Sequence, residues 1–510
     1  MRLFVGCIVS LIATSFGFIS RAFLLNTLGG EFKLSQEQVG ALNGAGLFPF
    51  ALSIIFFSLI VDKIGYGRAM VFAWLGHTIS GIIMLTANSF AMLYIGTLLF
   101  AFANGTVEAV INPVTATLFP RNKTHYLNIL HAGWPGGLVL GGLLFMVLGP
   151  DVHWRVKMAL YLIPTAAYGL MLLGQKFPVQ ERVKAGVTYD DMLKEFGAGS
   201  CFIVMFFVTY AFNTVFTSLN LYKGGDVLPI AAAVGAVSAA AFGFKYRSFG
   251  RPMFVFLLLV MILLATTELG TDSWVAALME PVLKSKNGGY LVLIYTSAIM
   301  FVLRFFAGPI VHRITPLGLL CLCAAVASGG LFFIANAGAS AALLFAAATC
   351  YGFGKTFFWP TTLGVVTEQF PKGGAMTINA IAGVGMISVG VLAGPLFGAM
   401  QDSTLDARLK GADAAVHAKV AGEQKSQMLM SYQVLDRAKV AALPESERKV
   451  VEKVQGENSQ ASLAKVAVLP FLMFLCYVGL ILYFKSKGGY KAVELTTEPA
   501  PPAPEPKPVT

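Results

Sequence analysis

Charged residues are scarce in this chain of 510 residues. Asp, Glu, Lys and Arg make up 12% of it, hydrophobic residues make up 56%, and the mean hydropathy is +0.72. A soluble protein needs about twice that charged fraction to cover its surface. The composition therefore excludes a soluble globular protein and predicts a chain embedded in lipid.

Cysteine and histidine are also rare, with six of each. All six cysteines fall in apolar runs without metal-ligand spacing, so we interpret them as packing residues. The histidines are scattered along the chain, whereas a membrane-embedded enzyme would need His and Asp clustered near one interface. We expect no metal, no cofactor and no enzymatic activity.

Apolar runs of about 20 residues, each long enough to cross a bilayer as a helix, fill most of the chain. Six such runs lie between residues 3 and 174, two more at 198–220 and 227–244, and six between 252 and 484. The pattern predicts about 14 transmembrane helices in an all-α membrane protein.

The second half of the chain repeats landmarks of the first. The segment 56–64, FFSLIVDKI, returns as FAGPIVHRI at 306–314, and Phe119-Pro120 returns as Phe370-Pro371. Many secondary transporters consist of two such similar membrane halves. The repeat predicts two six-helix bundles with two extra central spans.

Positive charges favour one orientation. With the N-terminus inside, thirteen Lys and Arg lie in inner loops and six in outer loops. The net charge of +11 is thus an orientation signal, and we expect no nucleic-acid partner. The pattern predicts a multi-pass protein with both termini cytoplasmic. We also expect the protein to lie in the cell (inner) membrane, in contact with the bilayer, and to be a monomer.

The runs and polar segments divide the chain into five parts. We expect an N-terminal bundle at 1–175, a cytoplasmic linker at 176–197, the two extra spans at 198–250 and a C-terminal bundle at 251–486. The insert 401–462, rich in Ala, Lys and Glu, is expected to form solvated helices outside the membrane, on the extracytoplasmic side. The Pro-rich tail at 487–510 is expected to be disordered.

The turn between the second and third spans is DKIGYGR at 62–68. A carboxylate at a helix end, flexible glycines and basic residues can form a charge latch, here from Asp62, Lys63 and Arg68. The segment resembles the loop signature of the major facilitator superfamily, which implies that fold and a conformational role for these residues. Its repeat at His312-Arg313 lacks the acid, so Arg313 is the one residue of the second copy to which we extend this conformational role.

The fourth span contains Glu108 and Asn112-Pro113. A carboxylate inside a spanning helix is costly unless it faces a cavity, pairs or binds a proton, so Glu108 is a functional candidate. Glu108, Asn112-Pro113, then Leu118-Phe119-Pro120 and Leu127-Asn128, resemble the fucose:proton symporter family. That resemblance implies proton coupling at Glu108. The family's first-span aspartate is absent here, where the chain has Arg21 and Asn26.

Two further acids lie in the ninth run. Glu268 and Asp272 are four residues apart, so they share a helix face about one turn apart, and they are candidates for proton coupling. The first and seventh spans of the superfamily face each other across a cavity. Arg21 is therefore expected to neutralise one of these acids or to bind substrate. The alternative is that Glu268 and Asp272 lie near the outer end of the span, where they are hydrated and have a structural role.

Polar and aromatic residues of other spans are substrate-binding candidates. Lys355 aligns with Asn104 across the repeat, and Trp359 offers a flat face for a sugar ring, as do Trp134 and Trp274. The sequence around Lys355 is not a phosphate-binding loop, because the required upstream glycine is Thr349. Asn128 and His131 share a face of the fifth span. Asn112 of the fourth span is the remaining substrate-binding candidate.

We therefore expect a secondary transporter that moves a small polar solute, such as a sugar, by proton-coupled alternating access between the two halves. Three alternatives remain open: an organic-anion (sugar acid) transporter with Arg21 and Lys355 as carboxylate clamps, a drug or solute exporter, and a non-transporting nutrient sensor.

Overall fold

The computed structural model describes residues 1–149, 151–218, 227–272, 288–338, 340–427 and 430–495. Almost every element in these residues is a helix, and the structure confirms an all-α membrane architecture. The predicted site residues all lie within the described parts, but Trp274, a further aromatic candidate of the ninth run, lies outside them.

The first half consists of nine helices that form six spans. Their bounds are Arg2–Glu31 (α1), Gln36–Gly44 (α2), Phe48–Ile64 (α3), Tyr66–Leu85 (α4), Phe90–Leu118 (α5), Lys123–His131 (α6), Gly133–Leu148 (α7), Trp154–Ala159 (α8) and Leu162–Leu172 (α9). The turn between α3 and α4 needs a glycine, because Gly65 has a φ of 85°.

A linker and two long helices follow. Their bounds are Glu181–Lys184 (α10), Tyr189–Ser218 (α11) and Val227–Tyr246 (α12). Gly197 breaks α11 with a φ of 70°, so its first turns lie apart from the membrane-crossing part. Helix α10 and the first turns of α11 fall within residues 176–197, and the rest of α11 falls with α12 within residues 198–250.

The second half has π-helical turns inside its spans. Its elements are Pro252–Ala265 (α13) with the π turn Thr266–Gly270, Gly288–Arg304 (α14), Ala307–Asn336 (α15), Ala341–Lys355 (α16), Phe358–Gln369 (α17), the 3₁₀ turn Pro371–Gly373, Gly374–Ser388 (α18) with the π turn Val389–Ala393, Gly394–Ala412 (α19) and Val468–Ser486 (α24). The apolar run at 290–311 is thus split, because α14 ends at Arg304 and residues 307–311 begin α15.

The insert is not purely helical. Between α19 and α24 lie Ala414–Val420 (α20), the strands Ala421–Gln427 (β1) and Met430–Leu435 (β2), then Arg437–Ala441 (α21), Glu445–Ala461 (α22) and Leu463–Val466 (α23). The strands pair antiparallel, with Gln424 opposite Gln433. Leu409, Val416 and Val451 form a small core beneath them. The helical composition did not reveal this hairpin.

Within the described residues, twelve helical segments are long and apolar enough to cross a membrane. Two further apolar segments complete the set: α8 with α9, which a break divides, and α14, which has 17 residues. The described helices thus agree with the expected 14 spans.

The two halves pack directly against each other. A Cβ atom added at Gly364 of α17 would lie 2.8 Å from the Cβ of Thr124 in α6, so only glycine permits this approach. We call the end of the bundle at which Arg2 begins α1 the N-terminal end. It also carries Asp62, Thr124 and Glu368.

Candidate functional site

A small buried cavity lies between the two halves. The first half contributes Phe50, Glu108, His131 and Trp134, and the second contributes Glu268, Leu269, Arg304, Trp359 and Met386. Its volume is about 20 Å³. That is room for about one water molecule and far too little for a sugar, so the halves are closed around the site.

Glu108 is buried and heads a chain of hydrogen bonds in the first half. Asn112 Nδ2 donates to Glu108 Oε2 at 2.8 Å, and Asn112 Oδ1 lies 2.9 Å from His131 Nε2. Among the described residues, no cation lies within ion-pair distance of Glu108. Glu108, Asn112 and His131, all predicted site residues, therefore form one connected group.

Arg304 holds the centre of the site together. Its Nη2 lies 3.0 Å from Glu268 Oε1, its Nε donates to the Thr356 carbonyl at 2.8 Å, and its Nη1 donates to the His131 carbonyl at 2.5 Å. Only 1% of Arg304 is exposed. The sequence reasoning missed this residue, although a lone arginine in the apolar run 290–311 is itself a signal of an intramembrane site.

Glu268 accepts from two elements of the second half. Besides Arg304, the backbone N–H of Trp359 donates to Glu268 Oε2 at 3.2 Å. Glu268 lies in the π turn Thr266–Gly270, and such turns occur frequently at functional sites. The predicted residues Glu268 and Trp359 are thus in contact and both line the cavity.

Asp272 has a cation of its own. Lys355 Nζ forms an ion pair with Asp272 Oδ1, and both residues are buried. Tyr351 donates to the Thr267 carbonyl at 2.7 Å and bonds to Thr271 Oγ1 at 2.9 Å beside this pair. Arg21 was expected to neutralise one of the two acids or to bind substrate, but in the structure Glu268 pairs with Arg304 and Asp272 pairs with Lys355.

Three prolines explain why backbone carbonyls are available at the interface. A proline lacks the N–H that would bond to the carbonyl four residues earlier. Pro135 and Pro360 therefore free the carbonyls of His131 and Thr356, and both accept from Arg304.

The third case lies in α5. Pro113 frees the carbonyl of Ala109, and Asn379 Nδ2 of α18 donates to it at 2.9 Å across the two halves. Three interruptions of the helical hydrogen-bond pattern thus release carbonyl acceptors, which form polar contacts in and around the site.

Of the seven predicted binding residues, only His131 and Trp359 line this cavity. Asn112 bonds to the lining residues Glu108 and His131, and Lys355 pairs with Asp272.

The other three predicted binding residues lie elsewhere. Asn104 Oδ1 lies 2.7 Å from His77 Nε2 inside the first half, and His77 Nδ1 lies 2.9 Å from Tyr168 Oη. Arg21 lines a separate small cavity with Phe100 and pairs with neither acid of the second half.

Asn128 instead joins the two halves nearer the N-terminal end, where its Nδ2 donates to Thr361 Oγ1 at 3.1 Å. Two further contacts between the halves lie beyond Asn128, toward the N-terminal end. Thr124 donates to Glu368 Oε1 at 2.5 Å, and Lys123 Nζ lies 3.3 Å from the Thr367 carbonyl.

The opposite end is also closed by a contact between the halves. Tyr290 donates to the Ala22 carbonyl at 3.1 Å, and its ring stacks on Phe23 with 3.9 Å between centroids. With contacts at both ends, the site is occluded.

Asp62, predicted to form a charge latch with Lys63 and Arg68, pairs instead with Arg182 of the linker. Asp62 Oδ2 lies 2.6 Å from Arg182 Nη2, and Tyr66 donates to Asp62 Oδ1 at 3.2 Å. Lys63 lies over the ring of Tyr189. Arg68 and Arg313 are exposed, and neither pairs with Asp62.

A family model described as Major Facilitator Superfamily matches residues 5–395. A cis,cis-muconate transport protein of Acinetobacter baylyi is 28% identical over 151 residues, which cover 29% of this chain and 37% of that protein. The chain spans between 37% and 58% of the length of the curated relatives it matches.

Two solved structures have the same fold over nearly the whole chain. A proton:xylose symporter has a TM-score of 0.62 at 13% identity, and the match covers 94% of this chain and 95% of the symporter chain. The Escherichia coli fucose:proton symporter has a TM-score of 0.54 at 14% identity and covers 92% and 98%. The fold and the family match over residues 5–395 agree with the sequence-based resemblance: the chain belongs to the major facilitator superfamily, and it is a multi-pass membrane transporter and not an enzyme.

Proposed function

We propose that the chain carries a small polar solute, a sugar, across the membrane together with protons. One observation supports this most directly. The closed cavity is lined by a tryptophan and a carboxylate from each half, Trp134 with Glu108 and Trp359 with Glu268. Indole faces pack against sugar rings, and carboxylates accept hydrogen bonds from hydroxyl groups.

The proposed proton carrier is Glu108. A buried carboxylate without an ion-pair partner is costly to enclose when charged, whereas the protonated form is neutral and can still bond to Asn112. Protonation would therefore favour the occluded state seen here, and release of the proton would favour an open one.

Glu268 and Asp272 serve the cycle in a different way. Each is already neutralised by Arg304 or Lys355. Because Arg304 also bonds to the His131 carbonyl of the first half, separation of the halves breaks that bond and leaves Arg304 on the second half with Glu268. The ion pair thus keeps the second half neutral in the open states.

Substrate enters after one end opens, since the present cavity holds about one water molecule. Positive-charge bias supports an orientation with the N-terminal end cytoplasmic, in an inner membrane. The contact of Thr124 with Glu368 is then the cytoplasmic gate, and the contact of Tyr290 with the Ala22 carbonyl is the outer one.

A proteoliposome uptake assay tests the proposal. Neutral hexoses, pentoses and polyols are offered at equal concentration, with and without an inward proton gradient. We expect at least one neutral sugar to accumulate only when the gradient is present. Uptake of no sugar, or accumulation that is indifferent to the gradient, would contradict the proposal.

An organic anion is the second candidate, and one observation favours it. The Arg304 guanidinium lines the cavity and could bind a carboxylate, and a curated relative is a transport protein for muconate, a dicarboxylate. In the same assay, sugar acids and dicarboxylates would then accumulate in preference to neutral sugars. The existing bonds of Arg304 to Glu268 and to two carbonyls favour the neutral solute.

A further inference from the structure

Two cavities meet at the start of α13, far from the central site. The larger is a groove of about 880 Å³ between α13 and α24. Its lining is mostly apolar and includes Met253, Phe256, Leu475 and Leu480. Phe256 and Leu475 are exposed at its edge, so the groove opens toward the surrounding lipid.

The smaller cavity has the opposite character. Its volume is about 290 Å³, and three cations line it: Lys194, Arg251 and Lys372. Gly250 and Arg251 line both cavities, so the polar one adjoins the apolar one at the N-terminal end of the bundle. A long apolar space next to a compact polar one has the shape of a phospholipid.

The charges select an anionic headgroup. Lys194 is paired with Asp191 at 3.3 Å, and Arg251 Nε lies 3.6 Å from Glu195. Among the described residues, neither Nη of Arg251 has a hydrogen-bond partner, and Lys372 is in no ion pair. The three cations outnumber the two acids, so the cavity retains a positive charge.

The backbone adds to this potential. Helix α13 begins at Pro252, and its N-cap residue, Arg251, provides no side-chain cap. The positive end of the helix dipole therefore faces the same cavity, where it attracts an anion.

We propose that these two cavities form one binding site for an anionic phospholipid. Its phosphate is held by Arg251 and Lys372, and one acyl chain lies in the groove between α13 and α24. Basic pockets between transmembrane helices bind anionic headgroups in this way. The site lies apart from the transport pathway, so it stands or falls independently of the proposed substrate.

Native mass spectrometry of the full-length protein tests the site. Purified protein is delipidated and titrated with phosphatidylglycerol or phosphatidylcholine of equal chain length. We expect one tightly bound phosphatidylglycerol and weaker binding of phosphatidylcholine. Arg251→Gln and Lys372→Gln should each weaken phosphatidylglycerol binding about fivefold. Arg121→Gln, which removes an exposed cation elsewhere at the N-terminal end, should leave it unchanged.

A second variant tests the groove without changing a charge. A Cβ atom added at Gly479 meets no atom within 4 Å, so Gly479→Leu fills the groove without disturbing the fold. We expect it to weaken binding of both lipids, whereas Gly329→Leu, at an equally open helical glycine outside the groove, should not. Equal binding of the two lipids by the wild type, or unchanged binding in both the cation and the Gly479 variants, would overturn the proposal.

Discussion

Arg304 Nη2 lies 3.0 Å from Glu268 Oε1, with both side chains almost fully buried. The same guanidinium bonds to the carbonyls of Thr356 in the second half and His131 in the first. The ion pair is therefore both a structural element of the second half and a contact between the halves.

We predict that removing one member of this pair costs more than removing both. Glu268→Gln should lower the free energy of unfolding by about 3 kcal/mol, because it leaves the Arg304 charge buried and unpaired. The double variant Glu268→Gln with Arg304→Gln removes both charges and keeps an amide donor at residue 304, so it should recover part of this stability but should not transport.

Thermal unfolding in detergent and uptake in proteoliposomes, measured on the same preparations, separate the two effects. A double variant that is as unstable as the single one, or one that still transports at the wild-type rate, would contradict the assignment.

The bond from Asn379 to the Ala109 carbonyl should depend on Pro113. Asn379→Leu leaves that carbonyl without a partner and should destabilise the protein by about 1 kcal/mol. In a Pro113→Ala background the backbone N–H of residue 113 satisfies the same carbonyl, so the loss should be close to zero. A double-mutant cycle of unfolding free energies measures the difference. Equal losses in the two backgrounds would show that the proline does not create the contact.

Glu368 links the C-terminal segment to the gate at the N-terminal end. Its carboxylate accepts from Thr124 at 2.5 Å and from Tyr490 at 2.8 Å, and its carbonyl accepts from Val493 N at 2.8 Å. The tail, expected to be disordered from 487, is therefore anchored as far as residue 493 in the structure, and residues 496–510 lie outside the described part.

We predict that Thr124→Val and Tyr490→Phe open this gate. A cysteine introduced at Thr361, which lies beneath the gate against Asn128, reports opening by its labelling rate with an impermeant maleimide. Loss of a hydrogen bond to a charged group should raise the rate about tenfold for Thr124→Val. Tyr490→Phe should have a smaller effect, because it loosens Glu368 but leaves the bond to Thr124.

Thr86→Val is the matched control, since Thr86 Oγ1 donates within its own helix at the opposite end. Labelling rates that do not distinguish Thr124→Val from this control would rule out the proposed gate.

Hydropathy and the rule that intramembrane charges are functional predicted much of this architecture. Apolar runs placed the helices within a few residues, and Glu108, Glu268 and Trp359 all line the central cavity. The depth of a residue within a spanning helix can be counted from the sequence. For Glu108, Glu268 and Trp359, that depth was sufficient to predict a place in the site.

The hydrogen-bond and ion-pair partners of the site residues could not be predicted in the same way. Lys355 and Asn104 occupy matching positions of the repeat, yet Lys355 pairs with Asp272 while Asn104 bonds to His77. Partner choice depends on the rotation and tilt of each helix, which the repeat does not specify. Arg304 was missed for a related reason, because the run 290–311 was interpreted as one span although the helix ends at this residue.

Proton coupling at Glu108 is the central claim, and it is tested most directly by comparing two modes of transport in one variant. Glu108→Gln keeps the hydrogen bond to Asn112 but cannot release a proton. In proteoliposomes loaded with a transported sugar, we expect this variant to retain exchange of internal for external sugar, because exchange requires no net proton movement. The rate should be below that of wild type, because a permanently neutral side chain favours the occluded state. We expect it to lose accumulation driven by an imposed proton gradient. Gradient-driven accumulation at the wild-type level in Glu108→Gln would contradict the account.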